Sequence, residues 1–250
     1  MKISIITVCL NSDETIEDAI KSILAQSYDD IEYIIVDGGS SDETLSIIKK
    51  YENEITRYIS EPDKGVYDAL NKGLKLATGE VVGFLHADDF YATTETIKNV
   101  AKAFEHNNVD CLWGDLVYVG KENTEKIIRY WKSGKYKKNL FKRGWMPAHP
   151  TFFVKRRVYE KHGYFNTDFR IAADYEIMLR FLHKFNISSY YIPEVLVKMR
   201  VGGLSNRSLK NVVRKSIEDY NAWKINKLSG GIHTIIMKNI SKIPQFFTKC

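Results

Sequence analysis

The first hundred residues alternate between short apolar runs and segments with helical apolar spacing. An apolar run of four to six residues is typical of a strand buried in a parallel sheet, and apolar residues every third or fourth position are typical of a helix. The strand-like runs cover residues 3–8, 33–36, 57–60 and 81–85, and the helix-like segments cover residues 15–26, 42–51 and 66–77. This order predicts βαβ units and a parallel sheet flanked by helices.

The alternation breaks after about residue 108. Residues 110–119 and 126–131 are typical of longer, antiparallel strands, and residues 195–199 predict a late strand. Helical spacing returns at 174–185 and 209–227. We therefore expect an α/β protein with a Rossmann-like, mostly parallel central sheet and flanking helices, a smaller antiparallel element and a C-terminal helical extension.

The run at residues 81–85 leads to two adjacent carboxylates, Asp88 and Asp89. Two ionised carboxylates side by side repel each other unless a cation lies beside them, and a divalent metal is the usual solution. The carboxyl ends of parallel strands are also where open α/β sheets bind ligands. The alternative is that the pair only caps the next helix, which is expected to begin near residue 93 or 94.

Polar clusters follow all four predicted strands of the first half. Four such clusters at one edge of a parallel sheet describe a ligand site. The glycine fingerprints that cradle phosphates in dinucleotide-binding and P-loop proteins are absent, which favours a cation bridging a nucleotide diphosphate to carboxylates. Asp37 can accept hydrogen bonds from a base or a ribose, or it can be a turn residue before Gly38 and Gly39. The clusters cover residues 7–11, 37–42, 61–65 and 86–89.

Charge adds a possible surface partner to this description. The chain has 250 residues and a net charge of +6, and residues 130–143 carry six cations among five aromatic or aliphatic side chains. Such mixtures suit an anionic membrane surface or nucleic acid, or form a solvated loop. A nucleic-acid binder is opposed by the 31 acidic residues and by the carboxylates at the strand ends. The segment 232–250 is also basic and contains no acidic residue.

The cysteines and the apolar stretches favour a reducing, cytoplasmic setting. The three cysteines are far apart and lack metal-site spacing, so neither a disulfide framework nor a zinc site is supported. The first apolar run is too short for a signal peptide, and no stretch approaches 18 apolar residues.

Several blocks, in order, resemble the family 2 glycosyltransferases of the GT-A fold. They are SIITVCLN at residues 4–11, SILAQS at 22–27, IVDGGSSD at 35–42, EPDKGVYDALNKG at 61–73, and ATGE at 77–80 leading to Asp88 and Asp89. The resemblance covers about residues 1–205. It implies an enzyme that transfers a sugar, as a hexosyltransferase, from a nucleotide-sugar donor that lies across the strand ends.

The resemblance also implies roles for individual residues on the donor side. Asp88 would contact the ribose or the sugar, and Asp89 would bind Mg²⁺ or Mn²⁺ and so neutralise the leaving diphosphate. Many relatives carry a second acidic residue where this chain has Gly38, which leaves open which carboxylate reads the base. The residues expected to line the nucleotide are Thr7, Asn11, Asp37, Asp63 and Lys64.

The second half is expected to bind the acceptor. Residues 165–176 are similar to the family's block around its catalytic acid, which makes Asp174 the candidate general base of an inverting transfer; the alternative is a helix N-cap. Glu176 is the second candidate. The blocks at 145–150 and 199–205 offer His149 and Arg200 as contacts of the diphosphate or the acceptor, although a lone histidine is more often structural.

The expected protein is thus an inverting, metal-dependent glycosyltransferase that uses a nucleotide sugar, with UDP as the expected nucleotide. The expected acceptor is a lipid-linked glycan of a bacterial capsule, O-antigen (lipopolysaccharide) or exopolysaccharide, and the expected location is the cytoplasm, peripheral on the inner face of the cell membrane. A sugar-phosphate nucleotidyltransferase is the alternative, although the acidic, glycine-free loop after the first strand suits a triphosphate poorly. The expected division is a catalytic domain at 1–205, with a donor half at 1–108 and an acceptor half at 109–205, and a basic extension at 206–250.

Overall fold

The computed structural model describes residues 1–202, 209–230 and 232–240. The predicted boundary at residue 205 and the end of the basic segment, 241–250, lie outside the described residues. The first half contains four strands and three helices in the predicted alternation. They are β1 (Ile3–Cys9), α1 (Ile16–Leu24), β2 (Ile31–Asp37), α2 (Thr44–Lys50), β3 (Arg57–Ser60), α3 (Val66–Leu76) and β4 (Val81–Phe84).

The second half is mixed, as expected. Its elements are β5 (Asp89–Tyr91), α4 (Thr96–Asn107), β6 (Cys111–Val119), β7 (Ile127–Trp131), 3₁₀ turns at Leu140–Arg143 and His149–Thr151, β8 (Phe153–Lys155), α5 (Arg156–His162), α6 (Ala173–Met178) continuing into a π-helical turn (Leu179–Lys184), β9 (Ser189–Arg200), α7 (Leu209–Ile225) and α8 (Ile232–Ile240).

All nine strands found in the described part of the chain belong to one sheet, ordered β3-β2-β1-β4-β8-β6-β9-β5, with β7 paired to β6. The β3-β2-β1-β4 run is parallel, and so is the β6–β9 pair. The pairs β4–β8, β6–β8, β6–β7 and β5–β9 are antiparallel. The predicted α/β class with an antiparallel element is confirmed.

The sheet separates two apolar layers because successive side chains of a strand point to opposite faces. Ile6 and Val8 of β1 pack on the face covered by α3, α5 and α6, whereas Ile3 and Ile5 pack on the face covered by α1, α2 and α4. β1 and β2 are buried along nearly their whole length, which explains why their sequences are apolar without alternation.

The predicted strand at 81–85 is observed as β4, but the carboxylate pair does not simply follow its end, which corrects the sequence-based interpretation. β4 stops at Phe84, and Asp89 begins the separate strand β5, in which Asp89, Phe90 and Tyr91 pair with Met199, Lys198 and Val197 of β9. The helix that follows, α4, begins at Thr96 rather than at residue 93 or 94.

Candidate functional site

The parallel pairing brings the polar strand ends to one edge of the sheet, as predicted. Cys9 at the end of β1 is in register with Asp37 at the end of β2, and Asp37 is in register with Ser60 at the end of β3. β4 runs parallel to β1 on its other side. The loops that follow these strands therefore share one rim, which we call the strand-end rim: residues 9–13, 37–42, 60–65 and 85–89.

Hydrogen bonds between neighbouring loops make the rim one connected unit. Asn11 lies in the left-handed region, with φ 49°, and its backbone N–H donates to Ser40 Oγ at 2.8 Å. Its side-chain oxygen accepts from the backbone N–H of Ser41 at 2.9 Å. Asparagine tolerates the left-handed conformation better than most residues, so this position suits it.

Asp37 is fully buried, and its carboxylate is used by the protein itself. Ser40 donates to it from both its backbone N–H and its hydroxyl, the latter at 2.5 Å, and the Ser60 hydroxyl donates at 2.6 Å. These bonds match the alternative interpretation of Asp37 as a turn residue. They also show that the carboxylate joins the rim loops after β2 and β3.

Asp63 lies beside the glycine that departs from the family pattern. Its carboxylate accepts from the Gly65 N–H at 2.7 Å, and a Cβ at position 38 would overlap its other oxygen. Gly38 therefore leaves the space that the Asp63 carboxylate fills. The Lys64 side chain is exposed at the same loop.

Thr7 is placed apart from these rim residues. It is fully buried within β1, where its hydroxyl receives a hydrogen bond from the Tyr33 hydroxyl at 3.3 Å. A contact with a nucleotide would require this part of the core to open.

The two adjacent carboxylates have opposite surroundings. Asp88 is partly exposed on the rim, whereas Asp89 is fully buried and neither of its oxygens has a hydrogen-bond partner in the described chain. Burial raises the pKa of Asp89 well above its usual range, and the Asp88 charge adds to the shift while Arg200 opposes it. Of the two, only Asp88 offers its carboxylate to a ligand outside the protein.

The Arg200 side chain holds the Asp88 loop. Its guanidinium donates to the backbone oxygen of Asp88 at 3.0 Å and to the Asp18 carboxylate at 2.5 Å, and it lies 5.0 Å from the centre of the Phe90 ring. The side chain is nearly buried. Two of the five N–H donors of Arg200 are engaged within the protein and its side chain is buried, which argues against the expected contact with the diphosphate.

A histidine pair lies next to the Asp88 loop. The rings of His86 and His149 are 5.8 Å apart, and His149 also stacks on Phe84 at 5.9 Å. Burial lowers the pKa of His149 to about 4, with the Asp174 charge opposing the shift and His86 adding to it. His149 is therefore neutral at pH 7, which suits a packed core histidine or a hydrogen-bonding group but not a cation for a diphosphate.

Asp174 reaches this region from the other half of the chain. It lies in the first turn of α6 and is partly exposed, and the Tyr67 hydroxyl of α3 donates to it at 3.4 Å. Burial, followed by the Asp174 charge, raises the pKa of Tyr67 well above its usual range, so Tyr67 remains a donor at every physiological pH. Among the described residues, this long bond is the one given for the Asp174 carboxylate, which is also partly exposed and so can be reached by a ligand.

Glu176, the second candidate for the base, is corrected to a structural residue. It is buried, it pairs with the Arg180 guanidinium at 2.9 Å, and Asn226 of the segment after α7 donates to it at 2.8 Å. Glu176 comes two residues after Asp174, and this spacing places the two side chains on opposite sides of the helix.

Sequence reasoning did not select three residues that shape this site. Tyr67 hydrogen-bonds to Asp174, and His86 faces His149. Asn71 of α3 binds both backbone groups of Phe165, at 2.9 and 3.0 Å, and so fixes the loop that leads to Asp174. The tyrosine and the asparagine lie one helical turn apart on α3 within the block at 61–73, and that i, i+4 spacing was the available signal.

Comparison with known proteins identifies the class. The model of the family described as Glycosyl transferase family 2 matches residues 4–163. A PGL/p-HBAD biosynthesis glycosyltransferase of Mycobacterium bovis BCG is 32% identical over 208 residues, 81% of this chain and 78% of the relative. An uncharacterized glycosyltransferase of Rickettsia typhi is 28% identical and covers 99% of this chain and 80% of its own length.

The solved structures agree in fold. The structure of Staphylococcus aureus TarS 1–349 in complex with UDP aligns with a TM-score of 0.65 at 21% identity, over 89% of this chain and 72% of that one. Mannosyltransferase PcManGT from Pyrobaculum calidifontis, in complex with GDP-Man and Mn²⁺, aligns with a TM-score of 0.65 at 19% identity. The alignment covers 96% of this chain and 69% of that one. The chain belongs to glycosyl transferase family 2 and has the GT-A fold. It is a glycosyltransferase, and the nucleotidyltransferase alternative is not favoured.

Proposed function

We propose that this enzyme transfers a sugar from a UDP-sugar to a hydroxyl group of a lipid-linked glycan, with inversion at the anomeric carbon. The observation that carries the proposal is the position of Asp174. Its partly exposed carboxylate comes from the second half of the chain and accepts a hydrogen bond at 3.4 Å from Tyr67 of α3, in the first half. We infer that donor-side and acceptor-side groups would meet beside this contact.

The roles of Asp88 and Asp89 are proposed in reverse of the sequence-based expectation. Asp88 would hold the Mg²⁺ or Mn²⁺, because it is the member of the pair that reaches the rim. The described residues contain no group of three metal-ligating side chains. That scarcity fits an ion bound by one carboxylate, water and the diphosphate of the donor, as Mg²⁺ often is. When bound, such an ion would neutralise the charge of the departing diphosphate.

The chemical step follows from the charge of the groups. The Asp174 carboxylate would accept the proton of the acceptor hydroxyl as its oxygen bonds to the anomeric carbon, while the bond between that carbon and the diphosphate oxygen breaks. Tyr67 would orient the carboxylate through its hydrogen bond. Asn11, Asp37, Asp63 and Lys64 would shape the nucleotide site, with Asp37 acting through the loops it joins.

The choice of UDP is supported by neighbours with the same fold. The TarS structures include complexes with UDP and UDP-GlcNAc, whereas PcManGT was solved with GDP-Man and Mn²⁺. We therefore propose UDP as the nucleotide of the donor, and activity with a GDP-sugar in its place would overturn that choice.

The test is a donor panel with site variants. We expect one or more UDP-sugars to release UDP in the presence of Mn²⁺ or Mg²⁺, and we expect EDTA to stop the release. Asp174→Asn and Asp88→Asn should each lower turnover by about 100-fold or more, because each removes a charged group from the reaction. Asp168→Asn, which changes an exposed carboxylate on the loop that leads to α6, is the matched control and should remain active.

Each part of the proposal can fail on its own. Full turnover in both Asp174→Asn and Asp88→Asn would contradict the mechanism, and release that persists in EDTA would contradict the metal. Release of pyrophosphate from a sugar phosphate and a nucleoside triphosphate would establish the alternative activity.

A basic surface is the observation behind the proposed lipid-linked acceptor and the proposed location on the inner face of the cell membrane. Gly144, with φ 80°, ends the 3₁₀ turn and approaches α8 so closely that a Cβ there would overlap the backbone of Met237 and Lys238. This contact joins the cationic stretch to α8. The basic surface so formed carries exposed Lys132, Lys135, Lys137, Lys138 and Arg143 together with exposed Ile236 and Met237. No helix in the described ranges has the length and apolar content needed to cross a membrane.

A further inference from the structure

The segment leading into Asp174 has three backbone N–H groups, at residues 170–172, that lie before the first residue of α6 and so have no partner within that helix. All three are bound by one side chain from α7. The Glu218 carboxylate accepts from the backbone N–H of Arg170 at 3.2 Å, of Ile171 at 2.8 Å and of Ala172 at 2.9 Å. Glu218 lies 46 residues beyond Ala172 in the chain, so this contact depends on how α7 packs.

The carboxylate suits this position electrostatically. α6 begins at Ala173, and a negative charge before the first turn of a helix is favourable because the backbone N–H groups carry partial positive charge there. Oε2 accepts from all three N–H groups, and Oε1 also accepts from that of Arg170 at 3.2 Å, so each residue of the segment 170–172 is bound to Glu218.

The residue on the other side of Asp174 is held by the same two helices. Trp223 of α7 donates from its indole N–H to the Tyr175 hydroxyl at 2.8 Å. The Lys238 ammonium of α8 lies 3.4 Å from the centre of the Tyr175 ring and forms a buried ion pair with Asp219 of α7 at 2.6 Å. The segment before Asp174 and the residue after it are thus both bound by the C-terminal helices.

We propose that Glu218 is a positioning residue for the base, and that α7 and α8 form a buttress that holds Asp174 at the angle needed for proton transfer. This inference rests on the proposed role of Asp174. It gives the C-terminal helices a part in catalysis separate from any membrane contact. A displacement of about 1 Å in a reacting group can lower turnover by about 100-fold, so small shifts of this segment matter.

Turnover of the donor selected by the panel, measured with Glu218→Ala and Glu218→Gln, tests the proposal. Glu218→Ala removes all three acceptor bonds, and we expect kcat to fall by about 10-fold or more while the KM for the donor changes by less than about twofold. Glu218→Gln keeps one side-chain carbonyl oxygen that can take the place of Oε2, and it should restore most of kcat.

Two further measurements separate positioning from a loss of stability. Hydrogen exchange of the backbone amides at 170–172 should become about tenfold faster in Glu218→Ala, well below the unfolding temperature. Adding Glu218→Ala to Asp174→Asn should cause no further loss of turnover, because two residues that act through one group are not additive.

Asp110→Ala is the matched control. Asp110 also binds a backbone N–H from a distant segment, that of Ser188 at 3.1 Å, and it pairs with Arg157 at 2.7 Å at the amino ends of β6 and β9. Its loss should lower stability without lowering kcat. A Glu218→Ala enzyme with the kcat of the unsubstituted enzyme, or equal losses in the alanine and glutamine variants, would overturn the inference.

These measurements also separate the proposed role of Asp174 as the base from the proposed role of Glu218 in positioning it. Full activity of Asp174→Asn would refute the proposed base, and the buttress would then have nothing to position. Loss of activity in Asp174→Asn together with full activity in Glu218→Ala would refute the positioning role alone.

Discussion

His149 is enclosed by aromatic rings at the centre of the candidate site. Phe84 stacks on it, Phe165 meets it edge-on at 5.9 Å, and His86 lies on a further side. A ring surrounded in this way loses the water that would stabilise its protonated form, which is the main reason its pKa is low.

This burial predicts a specific pH dependence of stability. The pKa of His149 is about 4 in the folded protein and about 6.5 in an unfolded chain, so the unfolded state binds the proton more tightly between these values. The neutral His149 ring therefore contributes fully to the free energy of unfolding above pH 6.5. As the pH falls towards 4, the free energy of unfolding decreases by about 3 kcal/mol. The free energy of unfolding can be measured by urea unfolding at several pH values for the enzyme and for His149→Gln. Between pH 4 and 6.5 it should change less steeply with pH in the variant.

An exposed histidine provides the control for that experiment. His106, on the surface of α4, should leave the slope unchanged when it is replaced by glutamine. Identical slopes for the enzyme and His149→Gln would show that His149 is protonated with similar ease in both states.

Single residues in the site were predictable only where their role depends on nearby sequence. Asp88 was singled out by an apolar run that leads to two carboxylates, and Asp174 by the resemblance of residues 165–176 to a family block; their roles stay predictions. The burial of Glu176 was not predictable, because its partner Asn226 comes 50 residues later. The engagement of Arg200 depends in the same way on Asp18, 182 residues earlier in the chain.

At the scale of elements, β4 and β8 approach each other around a glycine. Gly83 in the middle of β4 faces Phe153 of β8, and a Cβ at position 83 would overlap that ring. The ring is fully buried, so it has little room to move. A glycine in a strand often marks such a close approach.

We expect Gly83→Ala to destabilise the protein by about 1–3 kcal/mol, because overpacking forces a side chain or the backbone to shift. Gly38→Ala is the comparison, because the added methyl group there meets the end of the Asp63 side chain, which can rotate away. Denaturant midpoints should fall for Gly83→Ala, whereas Gly38→Ala should chiefly raise the KM for the donor. An unchanged midpoint in Gly83→Ala would mean that β8 can move away from β4.

The elements of the first half were predicted almost to their ends because each is local and strongly patterned. β9 was predicted at 195–199 but spans Ser189–Arg200, since Pro193 breaks the strand pattern. The structure accommodates the proline where the pairing of β6 with β9 shifts, between Trp113 and Asp115. The division between β4 and β5 was missed because β5 exists only through its pairing with β9, a hundred residues later.

At the scale of the whole molecule, the cationic stretch and α8 lie together on the side of the sheet that packs against α3 and α6. We expect the protein to float with vesicles that contain anionic phospholipid and not with neutral vesicles. A lysine near an anionic membrane contributes about 1 kcal/mol, so Lys137→Glu with Lys138→Glu should reduce binding by at least about tenfold.

The matched control reverses the same number of charges on the other side of the sheet. Lys49 and Lys50 at the end of α2 are exposed, and α2 packs against the opposite apolar layer. Their replacement by glutamate should leave flotation nearly unchanged. Equal loss in both double variants would mean that only net charge matters, and no flotation at all would remove the membrane contact.

The place of β9 in the sheet has a consequence for how the chain is made. β9 lies between β6 and β5, although both partners precede it in sequence by some 70 residues or more. During synthesis, β5 and β6 leave the ribosome long before the strand that separates them, so each has an unpaired edge that can bind another nascent chain. A ribosome that stalls before residue 189 would thus display an aggregation-prone half-sheet, and cells that overproduce this enzyme should need chaperones chiefly in that interval.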